Sequence, residues 1–100
     1  MIDLDFEFTS KLWEYSGKGS WHFVSVPKEI SADIKTFTRH NARGFRTVRV
    51  KVKIGNQEWL TSLFPDKKSD CYFLPVKASV RKAESIMDGS TVHAKITILI

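Results

Sequence analysis

The sequence predicts an all-β protein: a small closed or nearly closed six-stranded, mostly antiparallel barrel with two short helices. Several segments alternate apolar and polar side chains, which is the period of a half-buried strand. Turn-forming residues such as Gly55-Asn56 separate these segments at short intervals. Strands with one apolar face each favour a barrel, because closure removes exposed sheet edges.

The first half of the chain predicts two strands and a helix, in the order strand Leu4–Tyr15, strand Trp21–Val26, helix Lys28–Thr38. The turn-forming segment 17–20 separates the two strands and predicts a hairpin. Pro27 ends the second strand, because it cannot donate a hydrogen bond to a ladder. Ile30, Ile34 and Phe37 then recur at helical spacing.

The second half predicts four strands and a helix, in the order Phe45–Ile54, Gln57–Phe64, Cys71–Val76, helix Lys77–Ile86, Ser90–Ile100. The first two of these strands form a hairpin around Gly55-Asn56, because both turn residues tolerate positive φ. The segment 65–70 is expected to be a polar loop. Gly89 suits the left-handed position that follows a helix.

Two segments, FVSVPKEISADI and YFLPVKASVRKA, share a layout. Each has a short strand, a proline at or near its end, a lysine, and then a helix with small and apolar residues. The match is short and leaves duplication open. It fits a barrel of two similar halves, each with a helix that covers an opening.

The composition is that of one globular domain spanning residues 1–100, with 42% hydrophobic and 27% charged residues. No apolar run reaches the roughly 20 residues that span a bilayer. The start, MIDLDFEF, carries acids where a signal peptide needs basic residues. The single Cys71 fits a reducing compartment. We therefore expect a cytoplasmic protein without a membrane partner.

No pattern in the sequence predicts a cofactor, a metal or a catalytic centre. The three histidines, His22, His40 and His93, are far apart, and one cysteine makes no zinc pattern. Nucleotide-binding glycine motifs and the nucleophile elbow are missing. Cys71 is interpreted as a small strand residue. An enzyme is the less favoured interpretation, and catalysis stays open.

The most suggestive set of side chains for a binding site is Trp59, Ser62, Lys77, Arg81 and Lys82. Lys77 and Arg81 are four residues apart on a predicted helix, so they share a face. Arg81 can bind an anion through two donors and Lys77 as a point charge. Alternation predicts that Trp59 and Ser62 face opposite sides of their strand. These residues predict a small anionic ligand; a solvated basic helix face is the alternative.

A second set of basic residues predicts weak nucleic-acid binding as an alternative function: Arg39, Arg43, Arg46, Arg49 and Lys51. Phe45 lies among them, and single-stranded nucleic acids are bound by basic residues interleaved with aromatic ones. The net charge of +5 permits such a partner without requiring it. The alternating cations from Arg49 onward can also simply keep a strand face soluble. Oligomeric state is not readable from the sequence.

Three stretches that cover nearly the whole chain form a specific combination: WHFVSVPKEISADI, the long segment from RGFRTVRVKVKIG through WLTSLFP to YFLPVKASVRKA, and TVHAKITI. With these stretches the chain resembles a bacterial family catalogued as domain of unknown function nineteen hundred and five. The resemblance implies a small β-barrel and brings no activity, cofactor or catalytic residues. The segment from Ser85 to Asp88 departs from the family pattern, which more often has a glycine after the helix.

The segment LPVKASVRKAESIMDGSTVHA is also similar to half-motifs of swapped-hairpin transcription regulators of the antitoxin type. Those proteins bind DNA as dimers through basic residues. The shared pattern is mostly structural: a proline-led strand, a short arginine-bearing helix, a glycine turn and a last strand. It supports the barrel more than it supports DNA binding.

Overall fold

The computed structural model describes residues 4–16, 21–38 and 46–99. Within these ranges it confirms the predicted fold class, a closed antiparallel barrel of six strands with two helices. No helix in this part of the chain is long and apolar enough to cross a membrane. The elements are β1 (Asp5–Glu14), β2 (His22–Ser25), α1 (Lys28–Thr38), β3 (Val48–Ile54), β4 (Gln57–Asp66), β5 (Cys71–Pro75), α2 (Ala78–Ala83) and β6 (Thr91–Ile98).

The two longest strands, β1 and β4, close the barrel because each pairs with two neighbours in turn. β1 pairs with β6 over Asp5–Lys11 and then with β2 over Leu12–Glu14. β4 pairs with β3 over Gln57–Leu63 and then with β5 over Phe64–Asp66. The ring order, β1-β2-β5-β4-β3-β6, is unchanged when β1, β2 and β3 are exchanged with β4, β5 and β6. The topology therefore agrees with the predicted layout of two similar halves.

The barrel interior is filled by the strands' own apolar side chains. Along β3 the valines and Ile54 are buried, and the three cations between them are exposed. A barrel of about eight strands is just wide enough for side chains to fill, so six strands leave less room. Tyr72 is the largest fully buried side chain, and burial raises the pKa of its phenol. Binding surfaces are therefore to be sought on the outside of the barrel.

The α1 helix is tied to the barrel by the buried hydroxyl of Ser31. The Ser31 hydroxyl donates to the carbonyl of Val26 at 3.2 Å and accepts from the backbone N–H of Tyr72 at 3.1 Å. It therefore bridges β5 and the segment that leaves β2, just where Pro27 ends the strand. Ion pairing between Lys35 of α1 and Asp70 adds a surface contact, and this pairing lowers the pKa of the Asp70 carboxyl.

The structure corrects several predicted boundaries. β4 continues through Pro65 to Asp66, so the loop before β5 is shorter than the predicted 65–70. Pro65 is tolerated because it lies where β4 passes from one partner strand to the other. β3 begins at Val48; the predicted start of this strand at Phe45 and the predicted turn at 17–20 lie outside the described residues.

The predicted end of the second helix is wrong: α2 ends at Ala83 rather than Ile86. The helix closes with two hydrogen bonds, from Ile86 N to Arg81 O at 2.8 Å and from Ser85 N to Lys82 O at 3.4 Å. This pair is the Schellman motif, whose turn residue takes a left-handed conformation that glycine usually supplies. Here Ser85 occupies that position with φ +54°. Gly89, also at positive φ, lies farther along the loop.

Replacing Ser31 by alanine should lower the free energy of unfolding by about 1–3 kcal/mol, because the buried Tyr72 N–H loses its acceptor. Urea unfolding measures this loss. Thr36→Ala is the matched control, since that hydroxyl lies on the exposed side of the same helix. Equal effects of the two substitutions would contradict the bridging role of Ser31.

Replacing Ser85 by glycine should raise the free energy of unfolding by about 1 kcal/mol, because a side chain at positive φ is strained. Thermal and urea unfolding both measure it. Lys82→Gly is the control, because a glycine inside α2 should lower the free energy of unfolding by about 1 kcal/mol. A loss of stability at both positions would show that Ser85 is not strained.

Candidate functional site

A groove lies between the first part of β4 and the start of α2; we call it the α2 groove. Within β4, only Phe64–Asp66 pair with β5. The start of α2 lies beside the earlier residues of β4. The groove has a volume of about 440 Å³, within the ~300–1,000 Å³ typical of ligand sites. Its walls include Trp21, Trp59, Leu60, Phe64, Lys77 and Arg81.

Two cations stand on the helical wall of the α2 groove. Lys77 is the N-cap residue immediately before α2, and Arg81 lies one turn later in the helix. The Nε of Arg81 donates to the carbonyl of Val76 at 3.1 Å, which holds the guanidinium against the wall. Among the described residues, neither cation has an acidic partner, and the residues that line the groove include no Asp or Glu. The positive charge of this wall is therefore not neutralised locally.

The far end of α2 is fixed by the tight turn between β3 and β4. The backbone N–H of Asn56 donates to the Glu84 carboxylate at 3.3 Å. Gly55 has φ +59°, and a Cβ at this position would lie 1.8 Å from a Glu84 carboxylate oxygen. Only glycine allows this close approach without a shift. Together with buried Val80, these contacts set the position of Lys77 and Arg81 beside the sheet.

Three of the five residues predicted for an anionic ligand line the same groove: Trp59, Lys77 and Arg81. Ser62 and Lys82 are not among the lining residues. Ser62 lies opposite Arg49 and accepts a hydrogen bond from its guanidinium at 3.2 Å. Lys82 is exposed on α2. That these residues bind a ligand stays a prediction.

Three residues of the second predicted set are described, and they lie along or just before β3. Arg49 and Lys51 lie on the outer face of β3, where Lys51 pairs with Glu58 at 3.5 Å. Arg46 is exposed before the strand begins. Arg39 and Arg43 lie outside the described residues. Their proposed role with nucleic acid stays a prediction as well.

A continuous group of outward-facing aromatic side chains covers β1, β2, β5 and β4; we call it the aromatic face. Its members are Trp13, Tyr15, Trp21, Phe23, Phe64 and Phe73. Trp13 meets Phe73 edge-on, with ring centroids 4.8 Å apart. Trp21 stacks on Phe23 at 6.0 Å, with 10° between the ring planes. Tyr15 and Trp21 remain half exposed, at 50% and 53%.

Sequence reasoning missed the aromatic face, although alternation carried a signal for it. Phe8 and Leu12 mark the inward phase of β1, which puts Trp13 on the outward phase with the polar residues. In the same way, Phe73 alternates with buried Tyr72 and Leu74. The pairing of β2 with β5 then brings these outward aromatics side by side.

The opposite side of the barrel, formed by β1, β6, β3 and β4, carries charges that pair with one another. His93 bonds the Glu7 carboxylate at 2.7 Å, and Lys95 lies 3.9 Å from the same oxygen. The hydrogen bond from His93 is the main reason that the pKa of Glu7 lies below its usual value. In the described part of the chain, no three His, Cys, Asp or Glu side chains are grouped to hold a metal. Glu7 therefore pairs with bases on the neighbouring strand, whereas no Asp or Glu lines the α2 groove.

Comparison with known families gives one match, and it covers most of the chain. The family model described as Domain of unknown function (DUF1905) matches residues 8–96. No curated protein matches the chain. The matched range extends from β1 to β6 and includes both the α2 groove and the aromatic face.

Proposed function

The chain belongs to the DUF1905 family, whose description names no activity, and we propose that it is a non-catalytic module that binds a small anionic ligand in the α2 groove. The observation that carries this proposal is the pair Lys77 and Arg81. Both line one concave, partly aromatic groove, and neither has an acidic partner among the described residues.

The two cations supply complementary donors for an anion. Arg81 is anchored through Nε, so its terminal nitrogens are held in place before a ligand arrives. A planar guanidinium held in this way suits a carboxylate or phosphate through paired hydrogen bonds, and Lys77 adds a point charge. The adjacent apolar walls include Trp59 and Leu60 and provide surface for an apolar part of the ligand.

The groove offers cationic donors and apolar surface, and His22 and Thr61 also line it. A typical small-molecule site combines such a surface with a few converging polar groups. Trp21 and Trp59 both line the groove; Trp21 is half exposed, and Trp59 packs partly against the core. We therefore propose a ligand with an anionic group and an apolar or planar part.

A thermal-shift titration with inorganic pyrophosphate and citrate tests this proposal. A ligand that binds only the folded state raises Tm as its concentration passes Kd. Loss of two charged contacts in the double variant Lys77→Gln, Arg81→Gln should weaken binding at least about tenfold. Each variant's Tm without anion is its own reference, because Arg81 also holds the Val76 carbonyl.

Lys67→Gln is the matched control, because Lys67 is an exposed cation of the β4–β5 loop, away from the groove. Anions such as phosphate also stabilise proteins generally, by exclusion from the surface. Specific binding therefore requires that the rise in Tm saturates with anion concentration and that Lys67→Gln shows the same rise. An unsaturable shift, or one equally strong in the double variant, would reject the groove as an anion site.

A further inference from the structure

We infer that the α2 groove and the aromatic face together bind a short stretch of single-stranded nucleic acid. The inference rests on the proposed function, since the anionic group held by Lys77 and Arg81 is here the phosphate of a nucleotide chain. Proteins bind single strands without sequence preference through a cationic groove next to aromatic rings on which bases stack. Both parts are present on this side of the barrel.

The aromatic face contains a second hollow that continues from the α2 groove. Tyr15, Trp21, Phe23 and Phe64 line it, with a volume of about 270 Å³. Two of these, Trp21 and Phe64, also line the α2 groove, so the two concavities share a wall. Two adjoining sites suit consecutive units of a polymer better than a single small molecule.

The exposed rings are held in fixed orientations before any ligand binds. Trp21 is stacked on Phe23, and Tyr15 meets Phe23 edge-on at 6.3 Å. Phe23 in turn contacts Trp13 and Phe73. Trp13 is itself fixed by a hydrogen bond from its indole N–H to the Ser25 hydroxyl at 3.0 Å. A rigid platform loses little entropy when a base stacks on it.

Charge favours a nucleic acid over a second copy of this chain as the occupant. The residues that line the two hollows include Lys77 and Arg81 and no Asp or Glu. In a two-fold dimer both sides of the interface carry the same patch, so four cations and no acid would line it. A phosphate backbone supplies the missing negative charge, and every base has a face that can stack.

Fluorescence titration with thymidine monophosphate and with a tetramer and an octamer of deoxythymidine tests the inference. Affinity should rise at least about tenfold from the monomer to the tetramer, since additional bases then stack. It should fall steeply as salt increases, since phosphate contacts release counterions. Trp21→Ala and, separately, Tyr15→Ala should each weaken binding of the tetramer about tenfold.

Met87→Ala is the matched control, because Met87 is exposed at 69% and lines neither hollow. Circular dichroism and the melting temperature show whether each variant is folded. Length-dependent binding that is lost in both aromatic variants and retained in the control supports the inference.

Four results would overturn it. If oligomers bind no more tightly than the monomer, and pyrophosphate still requires Lys77 and Arg81, the anion site stands and the nucleic-acid inference fails. If pyrophosphate also fails to bind, both proposals fall. If the tetramer binds equally well to Trp21→Ala but poorly to Arg49→Gln, another surface binds it. If light scattering shows a dimer that Trp21→Ala dissociates, a second copy of the chain occupies the aromatic face.

Discussion

Closure of a narrow barrel is the constraint on which the rest of this structure depends. β1 pairs first with β6 and then with β2, and β4 pairs first with β3 and then with β5. These two strands therefore join the sheet into a closed ring of backbone hydrogen bonds. The resulting interior is filled by its own side chains, such as Leu12, Leu63 and Ile96. The proposed binding site therefore lies on the outer surface, where the first part of β4 lies beside α2.

The outer surface is divided into two sides with different chemistry. On one side, acids and bases on neighbouring strands pair with each other, as Glu7 does with His93. On the other, aromatic rings contact one another and adjoin two cations without acidic partners among the described residues. The core does not require rings such as Trp21 on the outside, and exposed apolar patches of this kind usually mark interaction sites.

Much of the fold could be predicted from local patterns, because alternation and turn residues act over a few positions. The hairpin of β3 and β4 around Gly55-Asn56 is the clearest case. One boundary was predicted wrongly because it depends on a longer-range contact: β4 extends through Pro65, where β5 pairs with it. The end of α2 was predicted wrongly because its Schellman turn carries Ser85 instead of the usual glycine. The aromatic face was missed because only the strand order brings β1, β2, β5 and β4 together.

Chemical-shift mapping by NMR tests whether binding takes place on the aromatic and cationic side of the barrel. In a titration with an oligomer of deoxythymidine, the indole N–H of Trp21 and the backbone amides of Lys77 and Arg81 should shift. The indole lies on the shared wall of the two hollows, and the two amides lie at the N-cap of α2 and within it. Amides of Thr9 and His93, on the opposite side of the barrel, should not move. Shifts confined to that opposite side would show that the oligomer does not bind at the α2 groove and the aromatic face.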